Sequence, residues 1–420
     1  MQPRVKPLTE SNSILKTRAF NLFKHVNVPT SLTGITQHGD EQPAERGGLT
    51  SADTGAIWRA TRSLYRTGMN PAISLCLRRR GEVIMDRSIG YRTTHSTELF
   101  TPKTPVCLFS ASKAVTAMLV HHLAETGQID LHDPIARYIP EYARNGKGRT
   151  SIVHLLNHRA GLPRIREEVD PEVLFDTDRV KQLLYDAEPE SPSGVTQAYH
   201  AITGGYVLGE LIERVTGETL NAVLDRVIRQ PMGMEYFTYG IAENIDVAEN
   251  SVMGMKLMPP MTQFIKHAVG GSIEQVVEVS NDPRFRAAVI PAGNLYATAE
   301  EGSRFFQMLL DGGRYQDKQI FHPDTVKNAI RGASRRPLFD RSLMIPLRFS
   351  AGMMRGNPGM SVFGPGAPKA FGHLGFVTIL CWADPQRELS GALLTTGKGL
   401  IGTHMPRLLR LQQIINQRCI

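Results

Sequence analysis

The sequence predicts an α+β fold, an α/β sandwich in which one antiparallel sheet is built from both chain ends, flanked by helices, with a mainly helical domain inserted. Three observations predict it. Strand patterns lie near both ends, at residues 73–91 and 376–396. Helical spacing of apolar residues and loops dominate from residue 113 to about 285. Amphipathic helices are predicted outside the strands, at residues 51–68 and 404–418.

Local sequence patterns predict the helices and strands in the first half of the chain. Apolar residues such as Ile57, Trp58 and Leu64 share one side of the first helix. The strands at 73–77 and 83–91 flank a charged turn, so they form a hairpin. Two later helices each end at a glycine, and they span residues 110–125 and 203–216.

The second half returns to strands. The capping box Thr298-Ala299-Glu300-Glu301 begins a helix that ends near Gly312. Strands are predicted at residues 376–383 and 388–396, on either side of the turn at 384–387. Residues 241–285 are interpreted as a covering loop, and four methionines in it are candidates for an apolar acyl pocket: Met253, Met255, Met258 and Met261.

These elements predict three regions. Residues 1–50 form an N-terminal extension that ends in a polar, glycine-rich run, and ordered structure resumes near residue 51. Residues 51–112 and 286–420 form the sheet domain. Residues 113–285 form the inserted, mainly helical domain.

Composition restricts the function class. Of 420 residues, 41% are hydrophobic and 21% charged, which is typical of a globular enzyme. The net charge is +8, but no nucleic-acid-binding motif occurs, so no nucleic-acid partner is expected. The four cysteines form no zinc or redox motif, which fits a reducing compartment. No apolar signal region follows Met1–Lys6 and no run could span a membrane, so we expect a cytoplasmic protein.

One segment leaves a membrane contact open. Residues 15–26 are basic and amphipathic, and such a stretch either touches a membrane surface weakly or packs on its own protein. Packing is the commoner outcome, and the pattern alone leaves both open. The oligomeric state is not determined by the sequence.

A nucleophile candidate lies at the start of an apolar helix. Ser110-Ala111-Ser112-Lys113 has an S-x-x-K spacing, which places the serine and the lysine on one helix face. Burial lowers the pKa of a lysine, and a neutral amine then accepts the serine proton. The helix N-terminus supplies N–H groups for a developing oxyanion. A second copy, Ser13-Ile14-Leu15-Lys16, lies in the charged extension and is interpreted as chance.

Other catalytic designs lack their motifs. The sequence contains no G-x-S-x-G elbow, no H-E-x-x-H metal motif and no phosphate-binding P-loop. We therefore expect no metal and no cofactor.

The S-x-x-K motif by itself does not decide the role of Ser110. On the motif alone, Ser110 is equally compatible with a residue that only caps the helix.

Several ordered motifs resemble those of the penicillin-recognising serine enzymes. They are Phe109–Lys113, Gly127–Ile135, Leu155–Pro163, Gly205–Ile212, Ala292–Ala299 and Phe371–Gly375, and the resemblance covers about residues 52–400. That superfamily includes class C β-lactamases, DD-peptidases and family VIII carboxylesterases. It implies a β-lactamase/transpeptidase-like fold, with Ser110 as nucleophile and Lys113 as base.

The resemblance also assigns the rest of the site. Tyr199 corresponds to the tyrosine of the family's Tyr-x-Asn motif and works with Lys113 as a general base or acid, its pKa lowered by a nearby ammonium. His373-Leu374-Gly375 replaces the Lys-Thr-Gly motif, so His373 and Gly375 line the substrate cleft. The backbone N–H groups of Ser110 and Phe376 form the oxyanion hole. His158 lies in a segment that is mostly architectural in the family.

Two departures indicate the substrate class. Ala201 replaces the asparagine that holds a lactam's side-chain amide, and His373 replaces the lysine that attracts its carboxylate. The pattern therefore favours a family VIII-like carboxylesterase acting on short-chain or small esters through a Ser110 acyl-enzyme. A β-lactamase or DD-peptidase is the alternative enzyme, and a catalytically inactive binding protein is the alternative of another class.

Overall fold

The main sheet takes its strands from both ends of the chain, as the sequence predicts. The structure is a computed structural model that describes residues 23–166 and 170–420. Within these residues the main sheet has nine strands: β1 (Thr36–His38), β2 (Ala72–Arg79), β3 (Glu82–Gly90), β4 (Leu338–Asp340), β5 (Ile345–Phe349), β6 (Met354–Arg355), β7 (Phe371–Leu374), β8 (Leu380–Asp384) and β9 (Leu389–Thr395). Their spatial order is β4-β5-β6-β7-β8-β9-β2-β3-β1, and every neighbouring pair is antiparallel.

Twelve α-helices accompany the sheet in the described ranges. They are α1 (Ser51–Tyr65), α2 (Ser112–Glu125), α3 (Ile152–Leu156), α4 (Thr177–Asp186), α5 (Thr203–Thr216), α6 (Leu220–Leu224), α7 (Met261–Val269), α8 (Ile273–Asn281), α9 (Pro283–Ala287), α10 (Ala299–Leu310), α11 (Pro323–Ile330) and α12 (His404–Arg418). Short strands outside the main sheet include Val106–Cys107, Thr238–Tyr239, Leu295–Ala297 and Gly397–Lys398.

The two faces of the sheet bury different helices. Helices α1 and α12 cover one face, where apolar side chains such as Leu75, Trp382 and Leu411 are buried together. Helix α10 covers the other face, which continues into the core of α2 and α5. The predicted α+β architecture is confirmed, and the boundaries proposed at residues 50, 112 and 285 stay a prediction.

The sheet extends into the segment predicted to be an extension. Strand β1 pairs with β3 at the sheet edge, so ordered structure begins before residue 51. Strand β1 could not be predicted from the sequence, because a three-residue strand shows less than two periods of apolar and polar alternation. Most of the amphipathic segment 15–26 lies outside the described residues.

Two element boundaries differ from the prediction. Phe376 lies in the turn between β7 and β8, not in a strand, and Val377 in that turn has a φ of +65°. The apolar run from Phe376 to Leu380 carries no glycine or proline that would have marked a turn. Ser110 lies in a turn of 3₁₀ helix at Phe109–Ala111, and α2 begins at Ser112.

The methionine-rich segment 241–285 is helical from residue 261 onward, whereas residues 241–260, which carry Met253, Met255 and Met258, form turns, short strands and loops. It contains α7, α8 and α9, and α8 begins with a capping box formed by Ser272 and Gln275. That signal was present in the sequence and overlooked. Of the four methionines, Met253 is buried, while Met255, Met258 and Met261 are exposed, so the acyl-pocket prediction stays a prediction.

None of the described helices is both long and apolar enough to cross a membrane.

Candidate active site

Ser110 is held in a tight turn between a short strand and α2. The preceding residue, Phe109, has a φ of +48°, which is uncommon for a residue with a side chain. The hydroxyl of Ser112 donates to the Phe109 carbonyl at 2.5 Å and accepts from the Leu295 amide at 3.1 Å. These bonds fix the turn, so the direction of the Ser110 side chain is set by buried neighbours.

Lys113 lies one turn after Ser110 and points at it. Its Nζ donates to the Ser110 Oγ at 3.1 Å and to the Ala292 carbonyl at 2.9 Å. Burial lowers the pKa of Lys113 to about 7, from an ordinary value of 10.5. At neutral pH a large share of this amine is therefore unprotonated and able to accept a proton.

Tyr199 lies against the same pair. The Lys113 Nζ is 5.2 Å from the centre of its ring, and the Ser110 hydroxyl is its neighbour. Burial raises the pKa of Tyr199 above its ordinary value, and the Ser110 hydroxyl offsets only part of that effect. The expectation that an ammonium lowers this pKa is therefore wrong, because desolvation of the phenolate is the largest effect. Tyr199 is a neutral phenol, so it holds a proton that it can pass on as it receives another.

Asp340 is a site residue that the sequence analysis missed. Its Oδ1 accepts hydrogen bonds from the backbone N–H groups of Tyr199 at 3.1 Å and of Ser342 and Leu343 at 3.0 Å. The carboxylate thereby ties the Tyr199 backbone to the end of β4. No local pattern in the sequence indicated the contact with Tyr199, because Asp340 and Tyr199 are 141 residues apart.

Histidines pack around Tyr199. The His158 ring lies 4.7 Å from the Tyr199 ring and 4.6 Å from that of Phe349, and its Nδ1 accepts from the His200 amide at 3.2 Å. Burial lowers the pKa of His158, so it is uncharged. These contacts suit the architectural role expected of His158.

A small cavity lies behind Lys113. Its volume is about 20 Å³, and His158 and His200 are among the residues that line it. That is room for one water molecule. Neither ring nitrogen of His200 has a hydrogen-bond partner among the described residues, although the Ala198 carbonyl lies nearby. A water there would satisfy a buried polar group next to the lysine.

The end of β7 closes the site on the other side. The His373 ring is 6.0 Å from that of Tyr199, and its Nδ1 bonds to the Leu374 carbonyl at 2.6 Å. Burial, with a smaller effect of Lys113, lowers the pKa of His373 to about 3. His373 is therefore uncharged at neutral pH, and it is buried against Tyr199 rather than exposed in an open cleft.

Gly375 lets the two backbones approach each other. A Cβ on this residue would lie 2.6 Å from the Leu108 carbonyl oxygen and 2.6 Å from a methyl of Ile379. The close approach brings Phe376 beside the nucleophile turn, and the rings of Phe109 and Phe376 are 5.4 Å apart. The structure thus places Phe376 beside the turn that carries Ser110, while an oxyanion hole formed by these two residues stays a prediction.

A second buried lysine supports the turn, and sequence reasoning did not single it out. The Nζ of Lys398 lies 5.0 Å from the centre of the Phe109 ring and donates to the Thr395 carbonyl at 2.7 Å. Burial lowers the pKa of Lys398 to about 7. The Lys398 amine therefore packs on the ring of Phe109, the residue with the positive φ, in a cation–π geometry.

No metal-binding group of His, Cys, Asp and Glu side chains occurs in residues 23–166 and 170–420. Cofactor binding is not tested by this geometry. What the site contains is an amine, a phenol and a hydroxyl in contact, which is a constellation for nucleophilic acyl transfer.

Comparison with known proteins decides the family. The Beta-lactamase family matches residues 61–414 of this chain. The chain belongs to the β-lactamase family. It is therefore a serine hydrolase of that family, and the resemblance drawn from its motifs is confirmed.

Individual relatives agree with this membership. The chain is 28% identical over 325 residues to a Mycobacterium tuberculosis protein named esterase/beta-lactamase LipL, covering 71% of this chain and 72% of that one. A penicillin-binding protein homologue from Caulobacter crescentus has a TM-score of 0.76 and 26% identity, covering 88% of this chain and 99% of that one. A family VIII carboxylesterase has a TM-score of 0.76 at 24% identity, covering 89% of this chain and 99% of that one, and shows the shared fold.

Proposed function

We propose that this β-lactamase-family protein is a carboxylesterase that cleaves small esters through an acyl-enzyme on Ser110. The observation that carries the proposal is the 3.1 Å contact between the Ser110 Oγ and the amine of Lys113, whose pKa is lowered to about 7. A poised base within hydrogen-bond reach is what a serine hydroxyl needs to become a nucleophile.

Acylation follows from this contact. The Ser110 oxygen attacks the ester carbonyl carbon while its proton passes to the Lys113 amine. The resulting ammonium, through the Tyr199 hydroxyl, returns a proton to the leaving oxygen as the carbonyl–oxygen bond breaks. The alcohol departs, and the acyl group remains on Ser110.

Deacylation repeats the sequence with water. Water attacks the acyl carbonyl, its proton passes to the same amine, and the Ser110 oxygen leaves with a proton. The products are a carboxylic acid and the free enzyme. The N–H groups of Ser110 and Phe376 are the donors proposed for the oxyanion in both steps.

Esters are favoured over lactams by what the site lacks. Ala201 supplies no hydrogen bond to a side-chain amide, and His373, with a pKa of about 3, supplies no positive charge for a carboxylate. Each lost contact to a charged or amide group is worth about 1.5–3 kcal/mol, so two losses predict a preference for esters of roughly 10²-fold or more. The family VIII carboxylesterase neighbour supports ester hydrolysis, while LipL, an esterase/beta-lactamase, is compatible with both substrate classes.

Intact-protein mass spectrometry with a panel of esters and β-lactams tests the proposal. Short nitrophenyl esters are expected to add an acyl group to the wild type and to turn over, whereas Ser110→Ala adds none. Ser13→Ala, in the other S-x-x-K copy, is the matched control and should behave as the wild type.

The alternatives give different outcomes. A cephalosporin or penicillin hydrolysed as efficiently as a short ester would assign a β-lactamase or DD-peptidase. Absence of acylation by every probe would assign an inactive binding protein, and full activity in Ser110→Ala would refute the nucleophile.

A further inference from the structure

Two arginines face each other on neighbouring strands of the main sheet. Arg348 on β5 is paired directly with Arg355 on β6 in an antiparallel register. Side chains of a directly opposed pair lie on the same face of the sheet, and like charges there destabilise the pairing. Both side chains are partly buried, so water screens their repulsion incompletely.

The guanidinium groups have unused donors. The Arg355 side chain makes no hydrogen bond to a described residue, and its Nε and Nη1 are buried without a partner. Arg348 donates to the Gly356 carbonyl at 2.8 Å and to the Ser334 carbonyl at 3.5 Å, while its Nε is also buried and unpartnered. Buried donors are nearly always satisfied, so three unpartnered nitrogens on two adjacent side chains call for an acceptor.

No carboxylate of the described ranges neutralises this pair. Neither arginine forms an ion pair there, and Asp384, which attracts Arg355 at longer range, is bound to Arg387 at 2.5 Å. Burial, and then repulsion by Arg348, lowers the pKa of Arg355 to about 10. The adjacent loop adds positive charge instead of compensating it, through the exposed side chains of Arg331, Arg335 and Arg336.

We propose that Arg348 and Arg355 form a binding site for a phosphate group. A phosphate carries close to two negative charges at neutral pH and several acceptor oxygens, which match two guanidinium groups that each have unpartnered donors. Arginine is suited to this because its planar fork binds phosphate bidentately. The face of Phe371, whose ring centre is 5.8 Å from the Arg355 Cζ, supports the fork.

The site is separate from the proposed ester chemistry. Hydrolysis of a neutral ester at Ser110 uses none of these groups. The phosphate group has two possible sources, inorganic phosphate and the phosphate monoester of a small molecule, and both present the same dianion to the arginines.

Calorimetry and thermal unfolding of the full chain test the site. Sodium phosphate is compared with sodium chloride at equal ionic strength. Phosphate is expected to bind in a saturable manner and, at about 100 times its dissociation constant, to raise the unfolding midpoint by several degrees. Glycerol phosphate, added in a parallel arm, identifies a monoester as the source if it binds more tightly, and inorganic phosphate if it does not.

Arg355→Met removes the charge and keeps the apolar stem. Phosphate affinity is expected to fall at least tenfold, and the midpoint in phosphate-free buffer is expected to equal or exceed that of the wild type, because an unpaired buried charge is gone. Arg348→Gln is the second variant, should Arg355→Met fold poorly. Arg80→Met, which removes an exposed arginine paired with Glu388, is the control and should keep the phosphate response.

Three results would overturn the site. They are a phosphate response no larger than that of chloride, wild-type phosphate affinity in both Arg355→Met and Arg348→Gln, or acetate binding as tightly as phosphate. Hydrolysis of a nitrophenyl ester should be unchanged in these variants, so the outcome is independent of the proposed esterase activity.

Discussion

At the scale of single residues, the proposed chemistry depends on the amine of Lys113, which is buried and forms no ion pair with a carboxylate of the described residues. Lys113 contacts a hydroxyl and a carbonyl, and desolvation accounts for its lowered pKa. Burial also raises the pKa of Tyr199, which lies beside Lys113. One buried environment therefore makes the lysine amine available as a neutral base and keeps the tyrosine a protonated phenol.

The pH dependence of ester hydrolysis follows from the lowered pKa of Lys113. The amine accepts a proton only when it is neutral, so kcat/KM should fall as the pH drops below about 7, with one proton taken up. The measurement is a pH profile with a nitrophenyl ester, corrected for its uncatalysed hydrolysis. An acid limb centred near the ordinary pKa of a carboxyl group, about 4, would show that another residue is the base.

Lys113→Arg should remove that base while keeping a positive charge. We expect a loss of roughly 10²–10⁴-fold in kcat, since a general base contributes about that much. The check is the initial rate at saturating ester. Lys147→Arg is a control, because Lys147 is also buried but bonds only to backbone carbonyls, at Arg144, Tyr185 and Ala187. An equal loss of activity in both variants would indicate a general effect of arginine in buried positions.

Asp340 should matter for rate through the position of Tyr199. In Asp340→Ala the Tyr199 amide loses its acceptor, and a displaced phenol should lower kcat by roughly tenfold or more while KM changes little. Asp340→Asn keeps an acceptor oxygen and should restore most of the rate. If Asp340→Ala retained wild-type kcat, Asp340 would have only a structural role.

At the scale of elements, the site is assembled where β7 and the 3₁₀ turn meet. Gly375 ends β7 against the Leu108 carbonyl, and the turn after Leu108 carries Ser110. Strand and turn are therefore packed backbone to backbone, with no side chain between them. Their separation decides whether Ser110 and Phe376 can donate to one oxygen.

Gly375→Ala should separate these two elements. The new methyl would lie 2.6 Å from the Leu108 oxygen, so β7 has to shift, and overpacking of this kind costs about 1–3 kcal/mol of stability. We expect kcat to fall roughly 10²-fold, as for the loss of an oxyanion-hole donor. Gly359→Ala is the matched control, because no atom lies within 4 Å of its added methyl. Wild-type kcat in a folded Gly375→Ala protein would contradict the proposed oxyanion hole.

At the scale of the whole molecule, the two ends of the chain meet in the centre of one sheet. Strand β9 pairs with β2, and Leu393 lies directly opposite Leu75. Both side chains are buried in the core under α1 and α12. The sheet that supports the site therefore forms only when distant segments pair.

This pairing can be measured by a double-mutant cycle. Leu75→Ala and Leu393→Ala should each lower the free energy of unfolding by about 2–5 kcal/mol, and the double variant should deviate from their sum because the side chains are in contact. Denaturant unfolding supplies the values. Leu409→Ala, at an exposed position of α12, should change stability by no more than about 0.5 kcal/mol. Exact additivity would mean that the two leucines do not share a core.

The sequence alone determined the α+β architecture, the five longest helices, the strands β2, β3, β8 and β9, and the family, because periodicity and ordered motifs lie in neighbouring residues. It also singled out Ser110, Lys113 and Tyr199, which the structure places together. Only the tertiary structure decided how Asp340 holds Tyr199 and that burial raises the pKa of Tyr199 instead of a nearby ammonium lowering it. Those properties depend on contacts between residues far apart in the chain and on the removal of water around them, and neither leaves a local pattern in the sequence.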